Sequence, residues 1–452
     1  MIGLRCKSAA VVLGVLFCFA RLLLPQSRGG GGSAEALPHN ASAGGLAEQV
    51  GQERTTEQVV ELDQLIAEAL ENNPDIAAAR RRFEAAAKRP SQAGSLPDPS
   101  FSLSNFGVGH PFSRLSGSEF ANYAVGVSQE IPFPGKLSLR RGIAQKEADS
   151  ERQTFRAEVL RVVAGLKRAY FEIYLGQKTI EIMEKNRELL ERVSKITEAR
   201  YRVGSGIQQD LIKAQLEVTL LAQRLEVVAR QRASQEALLR SLLNRSSDGG
   251  NSSIRTTELK RSELAYTLEQ LSRLALDNAP QLRSRRELVE SRGFALDLAR
   301  KGYLPDFSAS LQYQKTGPAF PDYYMAAVEV KVPLYFWRKQ RLGVEESAVS
   351  LEQSRAEYRS AAQELLFNIK DQYLTAKTSE RLLKLYEDAV VPQASSGVDS
   401  ALAAYETGKV DFLTVMNSLA LLLNYETDYY RQLTEYHKAV AKLEELSGAP
   451  IP

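Results

Sequence analysis

The chain has 452 residues, with 58 Lys and Arg against 55 Asp and Glu, 44% hydrophobic and 25% charged residues, and a mean hydropathy of −0.27. Such polarity excludes a polytopic helical membrane protein, and two cysteines, both within the first 18 residues, leave no disulfide framework or cysteine metal site in the body. The formal charge of +3 is slight, whereas a nucleic-acid reader concentrates its cations on one face.

That excess sits at the N-terminus. Arg5 and Lys7 precede thirteen uncharged residues, Ser8 to Ala20, the layout of a secretory signal and too short for a transmembrane helix, which needs about 20 residues. Small-residue cleavage sites follow at Ala34-Glu35-Ala36 and Ala41-Ser42-Ala43. Residues 1–36 are therefore expected to be a signal peptide, and 37–55 a flexible leader rich in Gly, Ala and Ser. Phe17 stands where a lipid-attachment signal has a small residue, which disfavours an anchor at Cys18. Removing residues 1–36 takes away four cations and one anion, so the remainder carries 54 of each and is neutral.

The body is written twice. Leu62-Asp63-Gln64-Leu65 with Ala69 to Pro74 returns as Leu268-Glu269-Gln270-Leu271 with Ala275 to Pro280. Leu96-Pro97-Asp98 returns as Leu304-Pro305-Asp306, Ile131-Pro132-Phe133 as Val332-Pro333-Leu334, and Tyr201-Arg202-Val203-Gly204 as Tyr405-Glu406-Thr407-Gly408. Landmarks in the same order at offsets of 201 to 208 mark an internal duplication, too long in period for a solenoid. The first repeat spans 56–244, a polar connector 245–257, the second repeat 258–447 and a short tail 448–452.

Each repeat is predicted to run helix, two strands, very long helix, helix. In the first, strands fall at about 98–110 and 119–131, the latter with Tyr123, Val125, Val127 and Ile131 on one face. No proline interrupts Lys136 to Val203, which permits a single helix of 68 residues, roughly 100 Å long. Phe155, Val162, Ala169, Gly176, Met183 and Leu190, interleaved with Val159, Leu166, Ile173 and Ile180, make a heptad seam typical of coiled coils. In the second repeat, strands at about 305–315 and 322–333 set Phe307, Ala309, Leu311, Tyr313 and Tyr324, Ala326, Val328, Val330 to one side. The last helix has its seam at Phe412, Val415, Leu419, Leu422, Tyr429, Leu433, Tyr436, Val440 and Leu443, interrupted by Glu426.

Alternating strands of about 9 to 11 residues suit a transmembrane barrel, and equally a soluble sheet capping a bundle. The export signal decides between them: a secreted chain without a long apolar run enters an outer membrane only as β-structure. Four strands cannot close a barrel, so such a chain must oligomerise.

The duplicated pattern, with Asn73-Pro74, Leu96-Pro97-Asp98, Gln129 to Lys136 (QEIPFPGK) and the two Tyr-x-x-Gly turns, resembles the TolC-like outer-membrane efflux proteins from about Thr56 to Ser447. Gln129 to Lys136 and Tyr405 to Asn417 are most similar to the heavy-metal efflux branch. The resemblance implies a mainly α fold with a membrane β-barrel: a homotrimer whose twelve strands share one barrel and whose helices form a periplasmic tunnel. It also implies a Gram-negative outer-membrane location, contact with lipid, a periplasmic adaptor (membrane fusion protein), an inner-membrane pump of the RND type, and passive conduction with no cofactor. By the same resemblance, Tyr201, Gly204, Asp210, Tyr405, Gly408 and Asp411 belong to the narrowed periplasmic tip, where Tyr405 and Asp210 match a hydrogen-bonded latch. The pattern departs at Val410, where an arginine is expected, and at Thr414 and Asn417, where carboxylates are. Asp411 is the nearest acid, either a cation-selective ring when repeated about an axis or simply the cap of the returning helix.

An enzyme finds little support. His39, His110 and His437 lack paired spacing for a metal or nucleophile site and are expected at the surface. The competing class is a secreted periplasmic coiled-coil adaptor, which explains the signal and heptads but not the duplicated strands.

Overall fold

The computed structural model describes residues 58–106, 122–245, 254–261, 263–316 and 320–451. The signal, the leader, His39 and His110 lie outside them. Strand β1 (Gln58–Val60) leads into α1 (Leu62–Asn72), α2 (Pro74–Ala86) and α3 (Arg89–Ala93). Leu65 and Ala69, one turn apart on α1, are fully buried. The Asn73-Pro74 pair is a helix start: Asn73 Oδ1 accepts the N–H groups of Asp75 (2.9 Å) and Ile76 (3.1 Å). Pro74, at the first helical position, has no N–H to satisfy. Asn73 Nδ2 also donates to the Leu242 carbonyl at 2.8 Å, tying this corner to a helix 169 residues on.

Strands β2 (Ser100–Phe106) and β3 (Asn122–Ile131) precede α4 (Lys136–Arg202). At 67 residues, α4 is roughly 100 Å of uninterrupted helix. Its buried seam follows the heptads through Val162, Leu166, Ala169 and Ile173, then drifts to Ile182, Asn186, Leu190, Val193 and Thr197. The drift has a packing cause: Ala169 and Ile173 join a core with α1, Leu239 of α5 (Gln208–Leu242) and Ala441, whereas Ile182 and Leu190 join one with Ala214 and Leu221 of α5, with α9 (Val391–Glu406) and with the N-terminal part of α10 (Phe412–Ser447).

The connector ends in structure. Strand β4 (Ile254–Thr256) pairs in parallel with β1, with Ile254 and Thr256 buried and Arg255 exposed between them. Helix α4 holds it from one face: Gln177 Oε1 accepts the Thr256 N–H at 3.3 Å and its hydroxyl at 3.2 Å. Tyr170 accepts the Thr257 N–H at 2.9 Å, and Tyr174 donates to Glu258 at 2.9 Å. Positions 170, 174 and 177 recur at helical spacing, so one polar stripe binds Thr256, Thr257 and Glu258.

The second repeat follows with α6 (Leu268–Asn278), α7 (Pro280–Arg300), β5 (Asp306–Lys315), β6 (Tyr323–Lys331), α8 (Lys339–Leu385), α9 (Val391–Glu406) and α10 (Phe412–Ser447). Thr267 and Gln270 form a reciprocal capping box before α6. Helices α8 and α9 continue through one π turn, Tyr386–Val390. Pro392 cannot donate to the carbonyl one turn back, and the wider turn absorbs the missing bond. His437 differs from expectation: its ring packs on Phe171 at 5.2 Å and on Tyr436, with Nε2 3.1 Å from the Lys260 carbonyl oxygen.

The four long strands form one antiparallel sheet in the order β2-β3-β5-β6. One face bears Phe101, Leu103, Val125, Tyr313, Tyr324 and Val328, all exposed and with Phe101 and Leu103 at 80%. The other bears Ser100, Ser102, Gly126, Ser128, Gln312 and Glu329. Asn105, which breaks the alternation, stands opposite Tyr123 on the apolar face, at the far end of the strands.

Candidate functional site

The two Tyr-x-x-Gly turns lie one α4 length from the sheet, and both close by the same chemistry. Gly204 and Gly408 each take φ +75°, a left-handed conformation open to glycine. The N–H of Ser205 bonds to the Arg200 carbonyl (2.9 Å) and that of Gly204 to Tyr201 (3.0 Å). In the second turn Lys409 bonds to Ala404 (2.8 Å) and Gly408 to Tyr405 (3.0 Å). Both are Schellman terminations, after which α5 and α10 run back.

The tyrosines then diverge. Tyr201 is exposed, whereas Tyr405 is 3% exposed, in the core where α4, α5, α9 and α10 meet, beside Val193, Val415 and Phe412. Thr197 Oγ1 donates to the Val193 carbonyl at 2.8 Å, so at 3.0 Å it accepts from the Tyr405 hydroxyl. Arg200 lies over the Tyr405 ring, 4.6 Å from its centroid, and its Nη1 donates to the Tyr405 carbonyl oxygen. Tyr405 is thus bound to α4 at both ends of the residue.

The structure brings Tyr405 together with Thr197 and Arg200, and not with Asp210. Asp210 lies in the first turn of α5, where its charge favours the helix N-terminus. Asp411 is the N-cap of α10: one carboxylate oxygen accepts the Thr414 N–H at 3.0 Å and the Thr414 hydroxyl. The Thr414 hydroxyl and N–H hold this carboxyl below the usual aspartate range. Thr197 and Arg200 escaped the sequence reading. Arg200 stands in a run with Arg202, which pairs with Glu198 at 2.5 Å, and nothing in the spacing distinguishes the two arginines. With Val410 in place of the expected arginine, the guanidinium that meets Tyr405 at this turn comes from α4.

The junction between sheet and helices is equally defined. Lys136, first in α4 and 6% exposed, donates to the Leu304 carbonyl (3.0 Å) and to Asp306 Oδ1 (2.8 Å). The same oxygen accepts the Phe133 N–H at 2.8 Å. The PFPGK and LPD motifs therefore meet across the two repeats.

Long paired helices joined to a strand sheet that is apolar on one face and polar on the other are the wall of a β-anchored channel. The chain belongs to the outer membrane efflux protein family, whose profile matches residues 65–245 and 271–449. It is 23% identical over 413 residues to the pyoverdine export outer membrane protein OpmQ of Pseudomonas putida, covering 86% of each chain. To the cobalt-zinc-cadmium resistance protein CzcC of Cupriavidus metallidurans it is 20% identical over 325 residues, 70% of this chain and 75% of the relative. Its fold superposes on the outer membrane protein VceC of Vibrio cholerae with a TM-score of 0.75 at 17% identity, covering 86% and 97%. The chain is accordingly an outer-membrane protein with a large periplasmic helical part, and a soluble periplasmic adaptor is set aside.

Proposed function

We propose that this chain is the exit duct of a tripartite efflux system. Three copies share a twelve-stranded barrel, and the duct conducts passively what an RND-type inner-membrane pump delivers through a periplasmic adaptor. The observation behind the trimer is the four-stranded sheet, apolar outside, with unpaired edges at β2 and β6; lipid does not tolerate open edges. Residues 1–36 direct export. The turns around Tyr201, Gly204, Asp210, Tyr405, Gly408 and Asp411 are the resting constriction, and a ring of Asp411 carboxylates favours cations.

Metal cations are the substrate class, supported by the likeness to CzcC. A second reading, export of a siderophore, draws on the longer match to OpmQ. A deletion strain should become sensitive to cobalt, zinc and cadmium and regain growth with the gene restored. Unchanged metal tolerance together with siderophore retained in the periplasm would replace the first reading by the second. Recovery of the full chain from the soluble periplasmic fraction, with no conductance in planar bilayers, would sink both.

A further inference from the structure

The four places where helix meets strand lie at one end of the sheet: its register sets Ser100 opposite Ser128, Ile131 opposite Phe307, and Asp306 opposite Lys331. The segments at these junctions are free of carboxylates. Residues 85–97, 131–146, 298–305 and 332–344 together carry eleven Lys and Arg and no Asp or Glu, in a body whose cations and anions are otherwise balanced. Four of the eleven are used within the chain: Lys136 pairs with Asp306, Lys146 with Glu287, Arg300 with Asp297 and Arg341 with Glu345. Among the described residues the other seven form no ion pair, and six of them, Lys88, Arg89, Arg140, Arg141, Arg338 and Lys339, are exposed.

The second repeat adds aromatic rings at the same level. The offset of 201 that aligns Ile131-Pro132-Phe133 with Val332-Pro333-Leu334 also aligns Pro134-Gly135-Lys136 with Tyr335-Phe336-Trp337. In the first repeat this stretch turns inward, with Lys136 buried against Asp306. In the second it turns outward: Tyr335, Phe336 and Trp337 are each more than half exposed, and Trp337 meets Phe336 and Tyr335 edge-on at 5.0 and 6.2 Å. The passage from strand to helix does not itself require these rings, since the first repeat makes it with proline, glycine and lysine. They prolong the apolar face of the sheet, which passes down β6 through Val328 and Val330 to the exposed Val332 and Leu334.

We propose that this level is a docking collar for anionic phospholipids of the periplasmic leaflet: Tyr335, Phe336 and Trp337 lie among the headgroups, and the unpaired Lys and Arg side chains meet the lipid phosphates. Rings with one polar edge favour the boundary between water and lipid. Cations set beside an apolar surface draw anionic lipids in preference to zwitterionic ones. Arg338 and Lys339 follow Trp337 directly, so one short segment supplies both the ring and the charge. The inference rests on the sheet being the membrane-spanning part, and it names the lipid chemistry at the rim that faces the helices.

Trp337 is the chain's only tryptophan, so its fluorescence reports on this segment alone. The full chain is reconstituted in vesicles of phosphatidylcholine and phosphatidylglycerol in equal parts, with bromine on the acyl chains of one lipid or of the other. Brominated phosphatidylglycerol should quench Trp337 about twofold more strongly than brominated phosphatidylcholine. Arg338→Gln/Lys339→Gln, which breaks no ion pair among the described residues, should bring the two lipids to parity, and so should high salt. Equal quenching by both lipids in the wild-type chain overturns the selection of anionic phospholipid. A preference unaltered by the double variant overturns the part assigned to Arg338 and Lys339. If neither lipid quenches Trp337, while Val328→Trp in a Trp337→Phe background is quenched, a neighbouring copy or the lumen takes up the rings; that overturns the collar and leaves the membrane sheet standing. Absence of quenching in both proteins overturns the membrane-spanning sheet and the collar with it.

Discussion

Lys136 and Asp306, 170 residues apart, meet at 2.8 Å where the sheet gives way to the helices. The lysine is the more enclosed, with 8% of its side chain exposed against 27% for the aspartate. Asp306 also takes the Phe133 N–H, so one carboxylate holds the end of β3, the start of α4 and the start of β5 together. Among the described residues, Asp306→Ala leaves the ammonium with only the Leu304 carbonyl, and breaking such a pair costs on the order of 3 kcal/mol. The expected outcome is less heat-resistant protein in the outer membrane and a lower urea midpoint. A Lys136→Met/Asp306→Leu double variant, with no stranded charge, should recover much of the loss.

At the turns, Tyr405→Phe removes the hydroxyl bond to Thr197, about 1 kcal/mol. Arg200→Ala removes a charge-assisted bond and a cation–π contact, together about 2 kcal/mol or more. Both should raise single-channel conductance in planar bilayers, Arg200→Ala by more. Asp210→Asn breaks no side-chain bond among the described residues, so it should leave hydrogen exchange across Ala403 to Gly408 as in wild type. Wild-type conductance in both the Tyr405 and Arg200 variants would show that this contact does not hold the turns closed.

Glycine substitutions should separate backbone strain from crowding. At Gly204 an added Cβ meets nothing within 4 Å, and at Gly408 only the Arg200 guanidinium at 3.6 Å. Each alanine variant should therefore cost only the left-handed penalty, roughly 1–2 kcal/mol. Gly448 has φ +72°, and a Cβ there would lie 2.8 Å from the Asn278 carbonyl oxygen and 3.0 Å from Pro280. Gly448→Ala should be clearly the most destabilising of the three in denaturant melts.

Burial pushes the His437 imidazole below its ordinary value of 6.5. The native state then binds fewer protons than the unfolded chain between the two values. Stability is complete above pH 6.5 and declines as pH falls from there to the folded value. Hydrogen-exchange protection around Lys260, measured relative to the intrinsic exchange rate at each pH, should fall between pH 7 and pH 5. His437→Gln should flatten that dependence; an unchanged slope would assign it to other groups.

The duplication, the length of α4 and the strand faces were legible because period and spacing are properties of a chain's own order. Lys136 with Asp306 was not: both motifs were visible, but nothing local says that a lysine after one strand seeks an aspartate before another. Arg200 was hidden among neighbouring charges, since its role depends on the burial of Tyr405 across the helix pair. The heptad drift after Ile173 escaped because a seam reports that a partner exists, not when it changes. The connector strand β4 was masked by the polar run before it.

The two long helical arms are unequal rods. Helix α4 runs from sheet to turn without a break, whereas its counterpart passes through the π turn at Tyr386–Val390. A bending load applied at the turns would concentrate its curvature at that single soft segment. The arm formed by α9 and α10 would swing there, pivoting against a first repeat that acts as a stiff mast, and the Arg200–Tyr405 contact would be the catch between the moving spar and the fixed one.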